Sequence, residues 1–394
     1  MESILFSGGK VFDGLGAISD GLGVLVEGGK IATVAPAGQF EGFSGERFDT
    51  NGLALLPGLI DCHVHLCSGG EANPRPVMRD LLDSQITLRA LKHAQNTLRG
   101  GFTAVRDCGG KDYLEFAVRD AIKDGTFEGP TIRAVGKMIC MTGGHGNYIG
   151  RVADGVEDVV KAVREQIHAG CDQVKVMATG GVMTPGVNPE DAHFSAEEMA
   201  AGIAEGHRFH KKSASHAQGT AGILNAVLGG VDSIEHGIFL DDRSCEEMLK
   251  RGTYLVATMA AINRILANAG NGIPDYVIEK SNRVAERHRS SVRMFYKAGG
   301  KLAMGTDAGT PFNIHGENSE ELEYLVELGI TPVDALIAAT SNAAELLELD
   351  GGGRIAEGAP ADLLVVAGDP TLDITAASRR ENHRAVFKNG VRVV

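Results

Sequence analysis

Two histidines one residue apart, His63 and His65, close the apolar run Leu53-Ala54-Leu55-Leu56-Pro57-Gly58-Leu59-Ile60-Asp61-Cys62-His63-Val64-His65. Side chains at i and i+2 of a β-strand leave the same face, so a strand here would offer two imidazoles to one ion. Thirteen histidines in the chain make a single His-x-His unsurprising, and the pair gains weight only if other donors join it. Four candidates stand far away in sequence: Lys175 in Gln173-Val174-Lys175-Val176-Met177, His216 in Ser213-Ala214-Ser215-His216-Ala217, His236 in Ser233-Ile234-Glu235-His236-Gly237 and Asp307 in Ala303-Met304-Gly305-Thr306-Asp307. Taken singly, a histidine at a strand end is more often a hydrogen-bonded structural residue, and Lys175 or Asp307 can pair with a neighbouring charge. Brought together, they are the nitrogen and oxygen donors that a metal site needs and a stable core does not.

The elements that would position these donors follow from periodicity. Apolar, β-rich runs fall at 55–65, 102–108, 131–139, 173–179, 212–217, 232–237, 254–259 and 301–307. Amphipathic helical patterns lie between them, as at Leu81 to Arg99, Glu157 to His168, Ala196 to His210 and Val277 to Ala298. Glycines close several of these, at Gly100-Gly101, Gly170 and Gly299-Gly300. Eight β/α units predict an α/β fold, a (β/α)8 TIM barrel over 56–352, rather than an open doubly wound sheet, and no Gly-x-Gly-x-x-Gly opens the first helix. Residues 1–55 and 353–394 differ in texture. Short strands at Ser3 to Phe6, Gly23 to Glu27 and Lys30 to Val34 match runs at 361–367 and 384–394, with Gly28-Gly29 and Asn389-Gly390 as hairpin turns. The two terminal pieces are expected to pair into a small β-sandwich domain. In a barrel, active residues sit at the C-terminal ends of the strands. His63, His65, His216, His236 and Asp307 meet that condition, while Lys175 lies within its strand.

Composition bounds the possibilities. The chain has 394 residues, 43% of them hydrophobic, enough for one large core or two smaller ones. A net charge of -13 argues against a general nucleic-acid or anionic-membrane binder, which needs a basic surface. No apolar run is long enough to span a bilayer, and Met1 to Lys10 lacks the pattern of a signal peptide. Six cysteines, at 62, 67, 108, 140, 171 and 245, form no Cys-x-x-Cys pair, which fits free thiols in a reducing compartment; a cytoplasmic location is expected. Cys62 and Cys67 read as packing residues, and His207 with His210 as an exposed helix face.

These residues together resemble the amidohydrolase superfamily, metal-dependent hydrolases with a barrel and an accessory β-sandwich. The likeness runs from Lys10-Val11-Phe12-Asp13-Gly14 through Pro57 to His65 and on to Gly358-Ala359-Pro360-Ala361-Asp362-Leu363. The resemblance implies a centre of two divalent metal ions, zinc by expectation. His63, His65 and Asp307 would hold one metal, His216 and His236 the other, with an N-carboxylated Lys175 shared between them. An unmodified ammonium has no lone pair for a metal, whereas the neutral amine can capture carbon dioxide and become a bridging carbamate. In that arrangement Asp307 touches a hydroxide held between the metals. It is then the catalytic residue, general base first and proton donor to the leaving nitrogen afterwards. Single-metal deaminases of the superfamily lack the bridging lysine and carry a glutamate after the fifth-strand histidine, where this chain has His216-Ala217-Gln218-Gly219. Hydrolysis of an amide-type C–N bond is therefore favoured. A metal-stabilised binding or scaffold protein is the non-enzyme alternative, and it predicts bound metal without turnover.

Within the superfamily, Val174 to Val182 and Met141-Thr142-Gly143-Gly144-His145-Gly146 are most similar to the branch of Xaa-Pro and Xaa-Arg dipeptidases, which also has imidazolonepropionase-related members. That similarity implies a small-molecule amide, dipeptide or N-acyl amino acid substrate and a homo-oligomer. His145 follows the third strand and is expected to donate a hydrogen bond to the substrate; Tyr148, Arg151 and His315 are further contacts on the same face by topology. The loop from Thr184 to His193 is a candidate lid. One departure matters: Phe239 stands where the dipeptidase-like members would have a tyrosine to bind a carboxylate. A phenyl ring cannot make that hydrogen bond, so an uncharged amide, a carbamate or a urea-like compound competes as substrate, with a cyclic-amidase or deaminase relative as a further alternative.

Overall fold

The structure is a computed structural model and describes residues 3–394. Its central strands are β1 (Leu59–Val64), β2 (Phe102–Asp107), β3 (Thr131–Ala134), β4 (Val174–Met177), β5 (Ser213–Ala217), β6 (Ser233–His236), β7 (Tyr254–Val256) and β8 (Leu302–Ala303). Every residue of β1, β2, β4, β5 and β6 is buried. Both faces of these strands are buried, as is usual in parallel sheets, yet several carry polar side chains, among them Arg106, Lys175 and Glu235. The strands run parallel in two sheets: β1 to β3 in one, and β4 to β8 in sequence order in the other, extended beyond β4 by Ile139–Cys140 and Arg151–Val152. The fold is thus α/β with parallel sheets. Between β1 and the segment after β8 there is no continuous ladder. Individual bonds join them instead: Cys62 N–H to Met304 O at 2.8 Å, Asp307 N–H to His63 O at 2.7 Å and His65 N–H to Ala308 O at 2.8 Å.

Every expected strand is shorter than its apolar run, and for three of them the contacts show where the run divides. The run 55–65 divides at Gly58, because its two halves serve different sheets. Leu53–Pro57 pairs with Leu363–Ala367 and Lys10–Phe12, whereas Leu59–Val64 pairs with β2. A Cβ at position 58 would lie 2.3 Å from the Thr103 side chain, so only glycine lets the chain pass between the sheets. The run 131–139 breaks after Ala134, where Gly136 takes φ +74. Of 301–307, only Leu302–Ala303 forms a regular ladder; the rest is held by the single bonds to β1.

The terminal strands make two further sheets. One joins Ile4–Ser7, Leu22–Glu27, Lys30–Pro36 and Glu46–Asp49; the other joins Lys10–Phe12, Ile18–Ser19, Leu53–Pro57, Leu363–Ala367, His383–Lys388 and Val391–Arg392. Strand alternation gives the second sheet two cores. Leu55, Leu363 and Val365 pack with Phe6, Val24 and Val26 of the first sheet, while Ala54, Leu56, Leu364 and Val366 join the large central core. Phe6 and Phe387 meet edge-to-face at 4.9 Å across the terminal core.

The helices fall close to their patterns, at Asp83–Arg99, Val156–Ala169, Ala196–Arg208 and Asp275–Lys297. A reciprocal cap opens the third: Ser195 Oγ accepts from Glu198 N–H at 3.2 Å, and Glu198 accepts from Ser195 N–H at 2.8 Å. All six cysteines are buried free thiols, with Cys62 and Cys67 in core clusters. Among the described residues no helix is long and apolar enough to cross a membrane.

Candidate metal centre

The strands and the segments that follow them bring the six donor residues to the lining of one cavity. His63 lies in β1 and His65 just beyond it; Lys175 comes from β4, His216 from β5, His236 from the end of β6 and Asp307 from the segment after β8. Ligand atoms of His63, His65 and Asp307 all lie within 4.8 Å of one another. Asp307 Oδ1 is 3.2 Å from His65 Nε2 and 3.5 Å from His63 Nε2, and Lys175 Nζ is 3.0 Å from His63 Nε2. The His236 ring sits 5.2 Å from that of His63 and 4.7 Å from that of His216. His236 and Asp307 both adopt positive φ, +72 and +60, a conformation held only where surrounding structure compels it.

Outer contacts fix how these rings face the cavity. His63 Nδ1 meets Glu235 at 2.7 Å, His65 Nδ1 meets Gly109 O at 2.8 Å, His236 Nδ1 meets the Thr258 hydroxyl at 2.7 Å and His216 Nε2 meets Gly180 O at 2.8 Å. Each ring keeps its other nitrogen for the cavity, the arrangement of metal-ligating histidines. Burial, reinforced by neighbouring cationic groups, pushes the imidazolium pKa of His63 and His216 well below its ordinary value, and burial lowers His236 to about 4. At His65 burial is again the largest single influence, but the combined pull of the nearby Asp307 carboxylate outweighs it and raises the pKa. Burial disfavours charge on Asp307 too, yet the flanking His63 and His65 hold its carboxyl below the usual carboxylate range. Oδ1 of Asp307 is buried without a well-formed hydrogen bond. Neutral imidazoles beside an under-satisfied carboxylate oxygen fit a divalent cation.

A second cluster, His63, Cys108 and Glu235, has ligand atoms equally close. The Arg106 guanidinium lies 2.7 Å from Glu235, so the acid already has its cation. Asp61 anchors the opposite side. It accepts from the N–H groups of His63 and Thr306, the Thr306 hydroxyl and the Asn318 amide at 2.6 to 3.1 Å, tying β1 to the segment that carries Asp307. Burial outweighs those bonds and lifts its pKa to about 6.

The expected substrate contacts divide. His145 and Tyr148 line the cavity; the His145 ring lies 4.5 Å from that of His216, and its Nδ1 is 2.8 Å from Thr184 Oγ1. Burial lowers His145 to about 3. Arg151, Phe239 and His315 are not among the lining residues. Arg151 turns to Asp158 and Glu165 at 2.8 and 2.7 Å, a stronger draw for a guanidinium than an apolar cavity. Phe239 packs in the apolar cluster of Ile238, Ile262 and Val277, where a phenyl ring loses least by burial. His315 sits behind the site, its Nε2 on Ser68 O at 2.9 Å and its ring stacked 4.8 Å from that of His93. Of the loop after β4, Val182 and Met183 line the cavity. Residues 184–190 are held from outside by Lys280 on the carbonyls of Thr184 and Val187 and by Arg283 on Glu190.

The sequence reading passed over Glu235, Arg106, Asp61 and Gln218. Gln218 lines the cavity with its Oε1 buried and unpartnered. Arg106 carried a signal, a single cation following the apolar or small residues 102–105 within the buried strand Phe102–Asp107. The apolar wall of Met138, Met177, Ile238 and Ile262 comes from distant segments with no mark in common.

Comparison with known proteins agrees with this geometry. Residues 54–393 match the Amidohydrolase family. Ochratoxinase from Aspergillus niger is 33% identical over 370 residues, covering 85% of this chain and 75% of that protein. The crystal structure of a Xaa-Pro dipeptidase with bound methionine in the active site superposes with a TM-score of 0.89 at 32% identity, over 99% of each chain. A prolidase complexed with N-methylphosphonate-L-proline gives 0.89 at 30% identity, again over 99% of each.

Proposed function

Because this chain belongs to the amidohydrolase family and is a hydrolase acting on C–N bonds, we propose that it cleaves the amide bond of a small dipeptide or N-acyl amino acid at a centre of two zinc ions. The reading takes 56–352 as a (β/α)8 barrel and 1–55 with 353–394 as a β-sandwich. What carries it is the convergence of His63, His65, Lys175, His216, His236 and Asp307 on one cavity. Two such cations, when bound, supply the positive charge that polarises a carbonyl and acidifies water.

The remaining chemistry belongs to the chain. Lys175, 3.0 Å from a ring nitrogen of His63, serves as the N-carboxylated form, since an ammonium offers no lone pair and a carbamate offers two oxygens. Asp307 takes a proton from the attacking water and returns it to the leaving nitrogen. His145, its Nδ1 engaged by the Thr184 hydroxyl, directs Nε2–H to the substrate carbonyl oxygen. Tyr148 flanks the bound substrate at the rim, and the wall of Met138, Met177, Ile238 and Ile262 receives an apolar side group and excludes water.

A second reading has its own support. Lys175 is the single lysine among the lining residues, and no arginine is among them, so a substrate carboxylate meets little positive charge beyond the metals. That favours an uncharged amide, carbamate or urea-like compound. A panel of dipeptides and N-acyl amino acids, each assayed against its C-terminally amidated form, separates the two. The proposal expects kcat/KM to fall at least about 10-fold on capping, one charge-assisted contact being of that size. Equal or better turnover of the capped compounds would favour the second reading.

A further inference from the structure

Behind His63, away from the cavity, lies a fully buried ion pair. Arg106 on β2 and Glu235 on β6 have no solvent exposure. Glu235 Oε1 accepts from Arg106 Nη2 at 2.7 Å and from Ser233 Oγ at 2.6 Å, while Oε2 faces His63 Nδ1 at 2.7 Å. Arg106 also donates through Nε to Cys62 O at 2.7 Å and through Nη1 to the Gln173 side chain at 3.2 Å. The carboxylate therefore meets three donors, and the guanidinium that neutralises it is itself held by β1 and by the residue that precedes β4.

We propose that Glu235 and Arg106 are positioning residues that fix the tautomer of His63. A carboxylate can only accept, so the ring proton must sit on Nδ1, and the Nε2 lone pair is left to point at Lys175 and Asp307. Arg106 keeps Glu235 an acceptor by supplying its counter-charge where water cannot reach. The inference rests on the metal-centre reading above, because fixing Nε2 as an acceptor matters for holding a cation.

The substitution Glu235→Gln isolates this role. Glutamine has one oxygen where glutamate has two. Arg106 and Ser233, both donors, claim that oxygen, so the amide NH2 takes the place of Oε2 against His63. The imidazole then accepts at Nδ1 and carries its proton on Nε2, the wrong edge for a metal. In the full-length protein loaded with zinc, competition with a chromophoric chelator should show E235Q holding zinc about 10- to 100-fold more weakly than wild type, at similar helical content by circular dichroism. Replacing Arg106 as well, in R106M/E235Q, removes one rival donor and lets the amide turn its oxygen to His63. That variant should recover zinc affinity relative to E235Q. Unchanged affinity in E235Q overturns the inference, as does a double variant no better than E235Q. If neither variant folds, 15N-histidine spectra of the wild-type protein decide: a His63 proton on Nδ1 is expected, and one on Nε2 overturns it. A wild-type protein that binds no zinc would sink the metal-centre reading itself, whereas full stoichiometry with an indifferent E235Q sinks only this proposal.

Discussion

The proposed function gives the Asp307 carboxylate two tasks, holding a metal and moving a proton. Oδ1 lies between His63 and His65 at 3.5 and 3.2 Å, and the residue is held at positive φ by its N–H bond to His63 O. Asparagine keeps the shape and that backbone bond but cannot take a proton. Asp307→Asn should therefore fold normally and retain most of its metal while kcat falls by roughly 10²- to 10⁴-fold or more, the usual share of a general base. Steady-state assays beside metal analysis of the purified variant check this, and near-normal turnover would remove Asp307 from the mechanism. At this scale the sequence was informative for the donors, because His and Asp at the ends of apolar strands, and Lys inside one, are rare enough to stand out. It was silent about Asp61 and Glu235. Their work depends on what lies across the interior, Thr306 and Asn318 for one and Arg106 for the other, up to 257 residues away in sequence.

Elements carry the donors, and their mutual anchoring is where the reading from periodicity went furthest and then stopped. Helix limits came within a few residues because amphipathic period and caps are local. Strand limits did not, since Gly58 and Gly136 break apolar runs for reasons that involve a second sheet or a turn. His207 is exposed, as expected, and it also ties the helix Ala196–Arg208 to the residue just before β6. Its Nε2 meets Asp232 at 2.8 Å, and Asp232 also accepts from Ser213 N–H at 2.8 Å. The Asp232 bond raises the His207 pKa. Burial opposes charge on Asp232, but the bonds from His207 and Ser213 prevail and lower its pKa. A raised imidazolium pKa stabilises below the unfolded value of about 6.5 and is lost as pH rises through the folded value. A depressed carboxylate stabilises above about 3.9 and is lost as pH falls through its folded value. The pair thus contributes most between about pH 4 and 6.5. His207→Gln should lower the melting temperature most in that window and little above about pH 8. The effect should stay under about 1 kcal/mol, because the imidazole is 39% exposed and solvent screens it. An equal deficit at pH 5 and pH 8.5 would rule the linkage out.

On the scale of the whole molecule, the candidate donors come from β1, β4, β5, β6 and the segment after β8, so metal bound there would cross-link strands of both parallel sheets. Stripping the metal with a chelator should abolish turnover and lower the melting temperature by about 3–5 °C, as expected for losing roughly 2.7 kcal/mol of ligand linkage from a chain of this size. Added zinc should restore both, and an unchanged melting curve after verified metal removal would contradict it. The sequence by itself determined the chemistry class: residue types and strand periodicity are local properties, and five donors at strand ends, with Lys175 inside its strand, are legible before any folding is known. It also indicated the alternation of strands and helices and the kinship of the two terminal pieces. Only the tertiary structure decided which side chains share a cavity, turning Arg151 to its acidic neighbours, setting Phe239 in the apolar cluster and placing Glu235 against His63. The physical reason is that orientation within an element depends on the partners packed around it, and those partners come from segments whose separation in sequence carries no trace of their contact.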